Sequence, residues 1–211
     1  FIGNDNYKGG KLGGGAYLRE GHGRGSDAIF VNCTFAENKS GSGGAVALYG
    51  TSAVGAYGKF ISCTIKGNSA DKGGGIWMNN ATPTAEFYNT IITDNGTDIG
   101  YGGTVVAQES QVSKSFSIIG STLLNADGNT VSGWTFNASS MLGALDFHNG
   151  GATKSFPLIP NGANPAINQG MSTSELNALA TRLGIDSGLA TKDQNGQTRE
   201  KNSIGSYVAN N

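Results

Sequence analysis

The fold is decided by the sequence FVNCTFAEN at residues 30–38 and the sequence GGAVAL at residues 43–48. The same text returns 30 residues later, as FISCTIKGN followed by GGGIWM within residues 60–78. A copy cut by the N-terminus occupies residues 1–18, and a looser copy occupies residues 87–107. A fixed period of this length predicts a solenoid, because each repeat of such a fold stacks on the one before it.

Each copy combines short strands with two corners. Val31, Cys33 and Phe35 alternate with polar residues, a period of two that is typical of a strand with one buried face. An Asn closes this strand in every copy, at Asn4, Asn38, Asn68 and Asn95. Asn tolerates the left-handed conformation that a sharp corner needs, and aligned amides can hydrogen-bond along a stack. The Gly pair that follows forms a second corner before a second strand. The chain is therefore predicted to be all-β, a right-handed parallel β-helix with coils of about 30 residues.

Two regions are expected within one domain. Residues 1–143 contain the coils, and residues 144–211 leave the repeat and are assigned as a C-terminal cap. A capping box at Ser172 and Glu175, followed by Leu residues at helical spacing, predicts one short helix over residues 173–183. A solenoid needs a terminal cap to cover its last coil, which is the role we expect for this region.

The chain opens inside a repeat at Phe1, and we expect it to be truncated at that end. Any export signal would then lie upstream of Phe1. An uncapped first coil would present unpaired strand edges, which predicts end-to-end self-association as one open outcome.

Composition excludes several classes of partner. With a formal net charge of −1 and 14% charged residues, the chain has no basic field that would attract nucleic acid. Its apolar runs are only a few residues long, so we expect no membrane insertion. The sequence contains no nucleophile motif, phosphate-binding loop or metal-spaced Cys/His cluster, and we predict no cofactor and no metal site.

Cys33 and Cys63 occupy equivalent positions in adjacent copies. Neighbouring strands lie about 4.8 Å apart, within the Cα separation that a disulfide allows. Stacked side chains need not point at each other, so we favour a column of two buried thiols. Whether the two cysteines are bonded stays open in the sequence.

Two sets of motifs carry a resemblance to known families. The pairs Phe35–Asn38 and Gly43–Val46 resemble the repeats of chlamydial polymorphic outer-membrane proteins and of other bacterial surface β-helix proteins. The C-terminal motifs are Gly143-Ala144-Leu145, Asn149-Gly150-Gly151-Ala152-Thr153, Asn164-Pro165-Ala166-Ile167-Asn168-Gln169-Gly170, Asp193-Gln194-Asn195-Gly196-Gln197-Thr198-Arg199 and Ile204-Gly205-Ser206-Tyr207. In this order they are similar to those of the choice-of-anchor Q domain. Together the resemblances cover nearly all of the chain and imply a secreted bacterial surface protein.

One segment is a candidate for acid–base chemistry. His22 lies in a Gly-rich insertion beside Glu20, Arg24 and Asp27, a group that could transfer protons. A solvated polar loop explains the same residues, and His148 is expected to be structural. Parallel β-helix enzymes that cleave acidic polysaccharides typically need several carboxylates, and no column of acids recurs at the 30-residue period. We therefore assign no catalytic residue.

The outward positions of the second strand are the better candidates for a binding site. This column contains Tyr17, Ala47, Trp77 and Val106. Tyr17 and Trp77 are two coils apart, so about 10 Å separates them along the axis, a spacing at which two sugars could stack on aromatic faces. Tyr49 and Tyr57 are expected to flank them. Packing of these rings beneath the inserted loops is the alternative, and the sequence leaves it open.

We expect a secreted or cell-surface module, outside the bacterial cell, with a structural or adhesive role. Its predicted partner is a polysaccharide or surface glycan bound along the aromatic strip. The alternative is the C-terminal part of a polysaccharide lyase or glycoside hydrolase. The repeat sequence favours a non-catalytic protein, and the question of enzymatic activity stays open.

Overall fold

Short strands dominate the structure, a computed structural model. It describes residues 1–8, 11–21, 23–103, 108–148, 150–160, 162–199 and 202–207. In chain order the strands are β1 (Asp5–Asn6), β2 (Ala16–Arg19), β3 (Asp27–Val31), β4 (Thr34–Ala36), β5 (Lys39–Ser42), β6 (Val46–Tyr49), β7 (Tyr57–Ile61), β8 (Thr64–Lys66), β9 (Ser69–Lys72), β10 (Ile76–Asn79), β11 (Thr84–Tyr88), β12 (Ile91–Thr93), β13 (Ile99–Gly102), β14 (Val112–Ser115), β15 (Ile118–Ile119), β16 (Thr122–Leu123), β17 (Asp146–Phe147) and β18 (Lys154–Ser155). The helices are α1 (Ala138–Met141), α2 (Thr173–Leu183), α3 (Ser187–Ala190) and a 3₁₀ helix at Glu109–Gln111.

Four parallel sheets run along the stack of coils. Sheet I contains β4, β8, β12 and β15, with β16 added antiparallel at its end. Sheet II contains β1, β5 and β9, sheet III contains β2, β6, β10 and β13, and sheet IV contains β3, β7, β11 and β14. Strand pairs between the first full copies are in register at a spacing of 30 residues, as between Phe30 and Phe60. The predicted parallel β-solenoid with coils of about 30 residues is confirmed.

Large apolar side chains stack in columns inside the coils. Phe30, Phe60 and Phe87 are aligned on neighbouring strands of sheet IV, and their ring centroids are 5.1 Å apart at both steps. The column predicted on sheet I is also present, with Phe35, Ile65 and Ile92. Burying one such side chain stabilises a fold by about 1.5–3 kcal/mol, so these columns supply much of the cohesion between coils.

The predicted Asn ladder lies at the corner between sheets I and II. In three successive steps an amide Nδ2 donates to the Oδ1 of the Asn one coil on, at 2.7 to 2.9 Å, and the last Asn donates to Asp98 Oδ1 instead. The members are Asn4, Asn38, Asn68 and Asn95. The left-handed conformation belongs instead to the residue before each Asn, namely Gly3, Glu37, Gly67 and Asp94. The prediction that the Asn itself adopts it is wrong, because the Asn backbone N–H is held by the ladder as well.

The fourth coil is shorter than the alignment of Gly pairs predicts. β13 pairs with β10 so that Gly100 lies opposite Trp77, a place predicted for Val106. Between Asn95 and β13 the chain adds no strand to sheet II, so it reaches sheet III early. The predicted register of the fourth copy is therefore wrong, and Val106 itself lies outside the described residues.

Long side chains and a reversed strand close the C-terminal end of the coil interior. Tyr101 and Lys114 continue two interior columns, opposite Met78 and Phe87. The Lys114 Nζ lies 2.5 Å from a carboxylate oxygen of Glu109, so its stem can cover apolar atoms while its charge stays paired at the surface. Burial raises the pKa of Tyr101 to about 12. The antiparallel β16 then ends the parallel stack on sheet I.

The described part of residues 144–211 packs along the side of the coils. One apolar cluster joins outward residues of sheet I, such as Ile91, to Phe156 and neighbouring C-terminal residues. Another joins Ile61 on sheet IV to the apolar face of α2. Hydrogen bonds from this region reach three successive coils. The region expected to cover the last coil thus packs on outward apolar residues of sheets I and IV and lies beside the coils.

The predicted helix over residues 173–183 is confirmed as α2. The Ser172 hydroxyl accepts from the Glu175 backbone N–H, and the Glu175 carboxylate accepts from Ser172 in return, which is the predicted capping box. Gly184 ends the helix with a φ of 67°, a conformation that glycine adopts without strain. The sequence analysis did not identify three short helices, namely α1, α3 and the 3₁₀ helix at Glu109–Gln111.

Candidate functional site

Sheets II and III present outer faces on which the described residues of the C-terminal region form no apolar cluster. Its two apolar clusters lie on sheets I and IV. Among the described residues, its hydrogen bonds to the coils end on those sheets and on the corner between them. A ligand that binds along the coil axis therefore has two adjoining sheet faces available, and sheet III contains most of the predicted aromatic strip.

The predicted outward column is aligned on sheet III. Tyr17, Ala47 and Trp77 pair across β2, β6 and β10, and Gly100 occupies the fourth place. Ala47 is buried between its larger neighbours. The alternation of Val46 and Leu48 into the core with Ala47 outward follows the period of two expected for a strand.

Trp77 points outward, but its ring is not exposed for a ligand to stack on. Its indole lies against β13, where a Cβ at Gly100 or Gly102 would collide with the ring. Only 9% of the Trp77 side chain is exposed, and the Lys72 Nζ lies 5.8 Å from its ring centroid. The ring therefore fills the space that the two glycines leave. Trp77 is therefore packed against strand β13, whereas the alternative in the sequence analysis was packing beneath the inserted loops.

Tyr17 and Tyr49 form the exposed part of the strip. Tyr17 is 41% exposed, and its ring meets the half-buried Tyr49 edge to face at 6.3 Å between centroids. The pKa of the Tyr17 hydroxyl is raised, because the effect of partial burial exceeds the opposite effect of the Arg19 charge. Arg19 is exposed two positions along the same strand and on the same face. The arrangement offers a tilted aromatic pair with a guanidinium beside it, groups that suit stacking and hydrogen bonding to a polar ring.

Tyr57 lies elsewhere, at the start of β7 on sheet IV. It is 37% exposed and its ring packs close to the backbone of Gly25. No ring contact joins it to Tyr17 or Tyr49 among the described residues. The structure therefore brings together three of the four predicted residues and leaves Tyr57 apart.

Tyr7 is an exposed aromatic residue that the sequence analysis missed. It is 39% exposed on sheet II, its hydroxyl donates to Asp71 Oδ1 at 3.0 Å, and the Lys39 Nζ lies 4.5 Å from its ring centroid. These three residues come from three successive coils. The hydrogen bond to Asp71 raises the pKa of the Tyr7 hydroxyl. The signal in the sequence was the long segment between Asn4 and Gly13, which exceeds its counterparts in later copies.

The candidate acid–base segment stays a prediction, because His22 lies outside the described residues. The backbones of Gly21 and Arg24 exchange two hydrogen bonds of 3.0 Å. His148 lies 3.2 Å from the Ala144 carbonyl and 5.4 Å from the Tyr207 ring. Within the described ranges, no three His, Cys, Asp or Glu side chains form a group that could hold a metal ion.

The cysteines belong to a column of hydrogen-bond donors at the corner between sheets IV and I. Its members are Cys33, Cys63, Thr90 and Ser117, and each donates to the carbonyl two residues earlier. Both thiols are free. Burial raises the pKa of Cys63 well above its ordinary value, and a hydrogen bond from Cys63 lowers the pKa of Cys33. Since Thr and Ser serve the same place in later coils, the column explains the cysteines structurally.

Comparison with known proteins found no matching family model, no matching curated protein and no matching solved structure. Within the described ranges, no helix is both long enough and apolar enough to cross a membrane.

Proposed function

We propose that this chain is an adhesive module outside the bacterial cell that binds a polysaccharide or surface glycan along sheet III. The observation that supports this most is the exposed Tyr17–Tyr49 pair on a sheet face that the C-terminal region leaves free. The resemblance of the C-terminal motifs to choice-of-anchor Q domains supports the location. The proposed site contains Tyr17 and Tyr49 but not Trp77, because the Trp77 ring is buried against β13.

The chemistry of this face suits a sugar. Aromatic rings offer an apolar face to the C–H groups of a pyranose, and an edge-to-face pair gives that face a fixed tilt. Arg19 supplies five N–H donors for ring hydroxyls at the same edge. The coils hold these side chains on paired strands, so little ordering is needed when a ligand binds.

A glycan array followed by calorimetry tests the proposal. Tyr17→Ala should weaken binding by about tenfold, because an aromatic contact of this kind contributes about 1 kcal/mol or slightly more. Tyr57→Ala is the matched control, because Tyr57 has nearly the same exposure on a different sheet. Equal losses for the two variants, or no glycan bound by the unaltered chain, would overturn the proposal. Release of reducing or unsaturated ends in the same samples would favour the lyase or hydrolase alternative.

A further inference from the structure

A cleft of about 780 Å³ lies between α2 and the end of sheet IV. β14 and Tyr88 line one side of it, α2 lines another, and the turn at residues 126–128 lines a third. Pockets that bind small molecules in proteins usually measure about 300–1,000 Å³, so the cleft has room for a short oligosaccharide. It is separate from the Tyr17–Tyr49 pair, which lies on sheet III.

One face of α2 supplies the wall of this cleft. Glu175, Ala178 and Arg182 follow one another at spacings of three and four, which puts them on one side of a helix. The Arg182 guanidinium lies 5.4 Å from the Tyr88 ring centroid. A cation over a ring face is attracted to it, and this contact restrains an otherwise exposed side chain. The Tyr88 hydroxyl donates to a Glu86 oxygen at 2.8 Å, which fixes the ring in turn.

Three of the charged side chains along the cleft already have polar partners. Glu109 pairs with Lys114 at 2.5 Å, and the Glu175 carboxylate accepts two hydrogen bonds of 2.7 Å from the helix cap. Neither Arg182 nor Asp127 forms an ion pair with another described residue. Among the described residues the cleft therefore contains one guanidinium without an ion pair, on α2, and one carboxylate without an ion pair or a side-chain hydrogen bond, on the turn; Glu175 also lacks an ion pair, but the hydrogen bonds of the helix cap hold its carboxylate.

We propose that this cleft binds an acidic sugar, with the carboxylate of a hexuronic acid on Arg182 and ring hydroxyls on Asp127. A guanidinium binds a carboxylate through two parallel N–H···O bonds, which gives direction as well as attraction. Carboxylate oxygens accept from sugar hydroxyls, and the exposed Ser113 hydroxyl can donate or accept beside them. A neutral sugar would use only the Asp127 half of the cleft. This inference does not depend on the sheet III site.

Titration of the whole chain with glucuronate, followed by calorimetry or by NMR shifts, tests the inference. Glucose is the matched neutral probe, and glycine is the probe for a small zwitterion. We expect glucuronate to bind about tenfold or more tightly than either, because hydrogen bonds to charged groups are the stronger ones. Glucose or glycine binding as tightly as glucuronate would overturn the assignment.

Two exposed positions provide the variants. Arg182→Ala should weaken glucuronate binding by about ten- to a hundredfold, and Arg182→Lys should restore part of it, because Lys retains the charge but not the fork. Asp127→Asn should weaken binding without touching α2. Tyr17→Ala should leave glucuronate binding unchanged, which separates this cleft from the sheet III site. Unchanged affinity in Arg182→Ala, with its melting temperature preserved, would show that the cleft is not the site.

Discussion

Replacing Asn68 by Ala should cost far more stability than any comparable change at the end of the ladder. Asn68 is buried, and its side chain makes four hydrogen bonds. It accepts from the backbone and side-chain nitrogens of Asn38 at 3.0 and 2.8 Å, and it donates to Phe35 O and Asn95 Oδ1 at 3.0 and 2.9 Å. Removal leaves the buried Asn38 N–H without that acceptor.

The expected magnitude follows from these bonds. Each net hydrogen bond contributes about 0.5–1.5 kcal/mol, and a buried donor left unsatisfied costs about 1–3 kcal/mol. Asn68→Ala should therefore lower the free energy of unfolding by about 3–5 kcal/mol. Asn4→Ala loses only the bond from Nδ2 to Asn38 Oδ1, at an exposed end of the ladder, and should cost about 1 kcal/mol or less.

Urea unfolding followed by circular dichroism and by tryptophan fluorescence measures both values. Agreement of the two probes establishes that a single free energy describes the transition. The slope of free energy against urea should be the same for both variants, because the surface exposed on unfolding is unchanged. Equal losses for Asn68→Ala and Asn4→Ala would refute the cooperative ladder and assign the stability of this corner to the backbone alone.

Two further predictions concern buried charge. Arg199 is buried and donates to four acceptors, including Asn32 Oδ1 at 3.2 Å and Gly205 O at 2.7 Å. Arg199→Met should therefore lower the free energy of unfolding by about 3–5 kcal/mol in the same urea assay. Arg24 is exposed, so the control variant Arg24→Met should be nearly neutral. Burial raises the pKa of Asp98 in the folded chain above its ordinary value. Between the ordinary pKa and the raised pKa the folded chain binds more protons than the unfolded chain, so the free energy of unfolding should fall as the pH rises through this range. Asp98→Asn keeps an oxygen acceptor for the ladder and should flatten this pH dependence, measured by melting temperature across the acidic range. An unchanged pH profile in that variant would contradict the assignment.

The features of the fold that were predicted correctly depend on short, recurring sequence patterns. The Phe30 and Phe60 columns, the Asn ladder and α2 each depend on residues whose partners recur at a fixed period or lie within one helix turn. Such patterns carry their own partner positions, so their pairing follows from the sequence. The left-handed residue before each Asn was missed because it is Gly in only two of the four coils, and a Glu such as Glu37 does not mark a left-handed position.

The lateral position of the C-terminal region could not be inferred in the same way. Outward Ile61 and Ile91 form apolar patches on sheets IV and I, but an outward apolar residue gives no indication of what covers it. The covering residues follow more than 50 positions later in the chain, and their motifs predict turns rather than contacts. Only the fold shows which two sheet faces they occupy and which two they leave for a ligand.

The exposure of an outward side chain in this solenoid depends on the strands that lie on either side of it. Tyr17 faces Ala47 on the next strand and keeps 41% of its surface exposed, whereas Trp77 faces Gly100 and lies down over it. Both positions are equivalent within the repeat, so the repeat alone predicts equal exposure. The difference arises because Tyr17 lies on the edge strand β2, whereas the fourth coil omits its sheet II strand and brings glycines beside Trp77, to the place where Val106 was expected. A binding strip on such a fold must therefore be assigned from the register of each coil with its neighbour, and that register limits the exposed strip to Tyr17 and Tyr49.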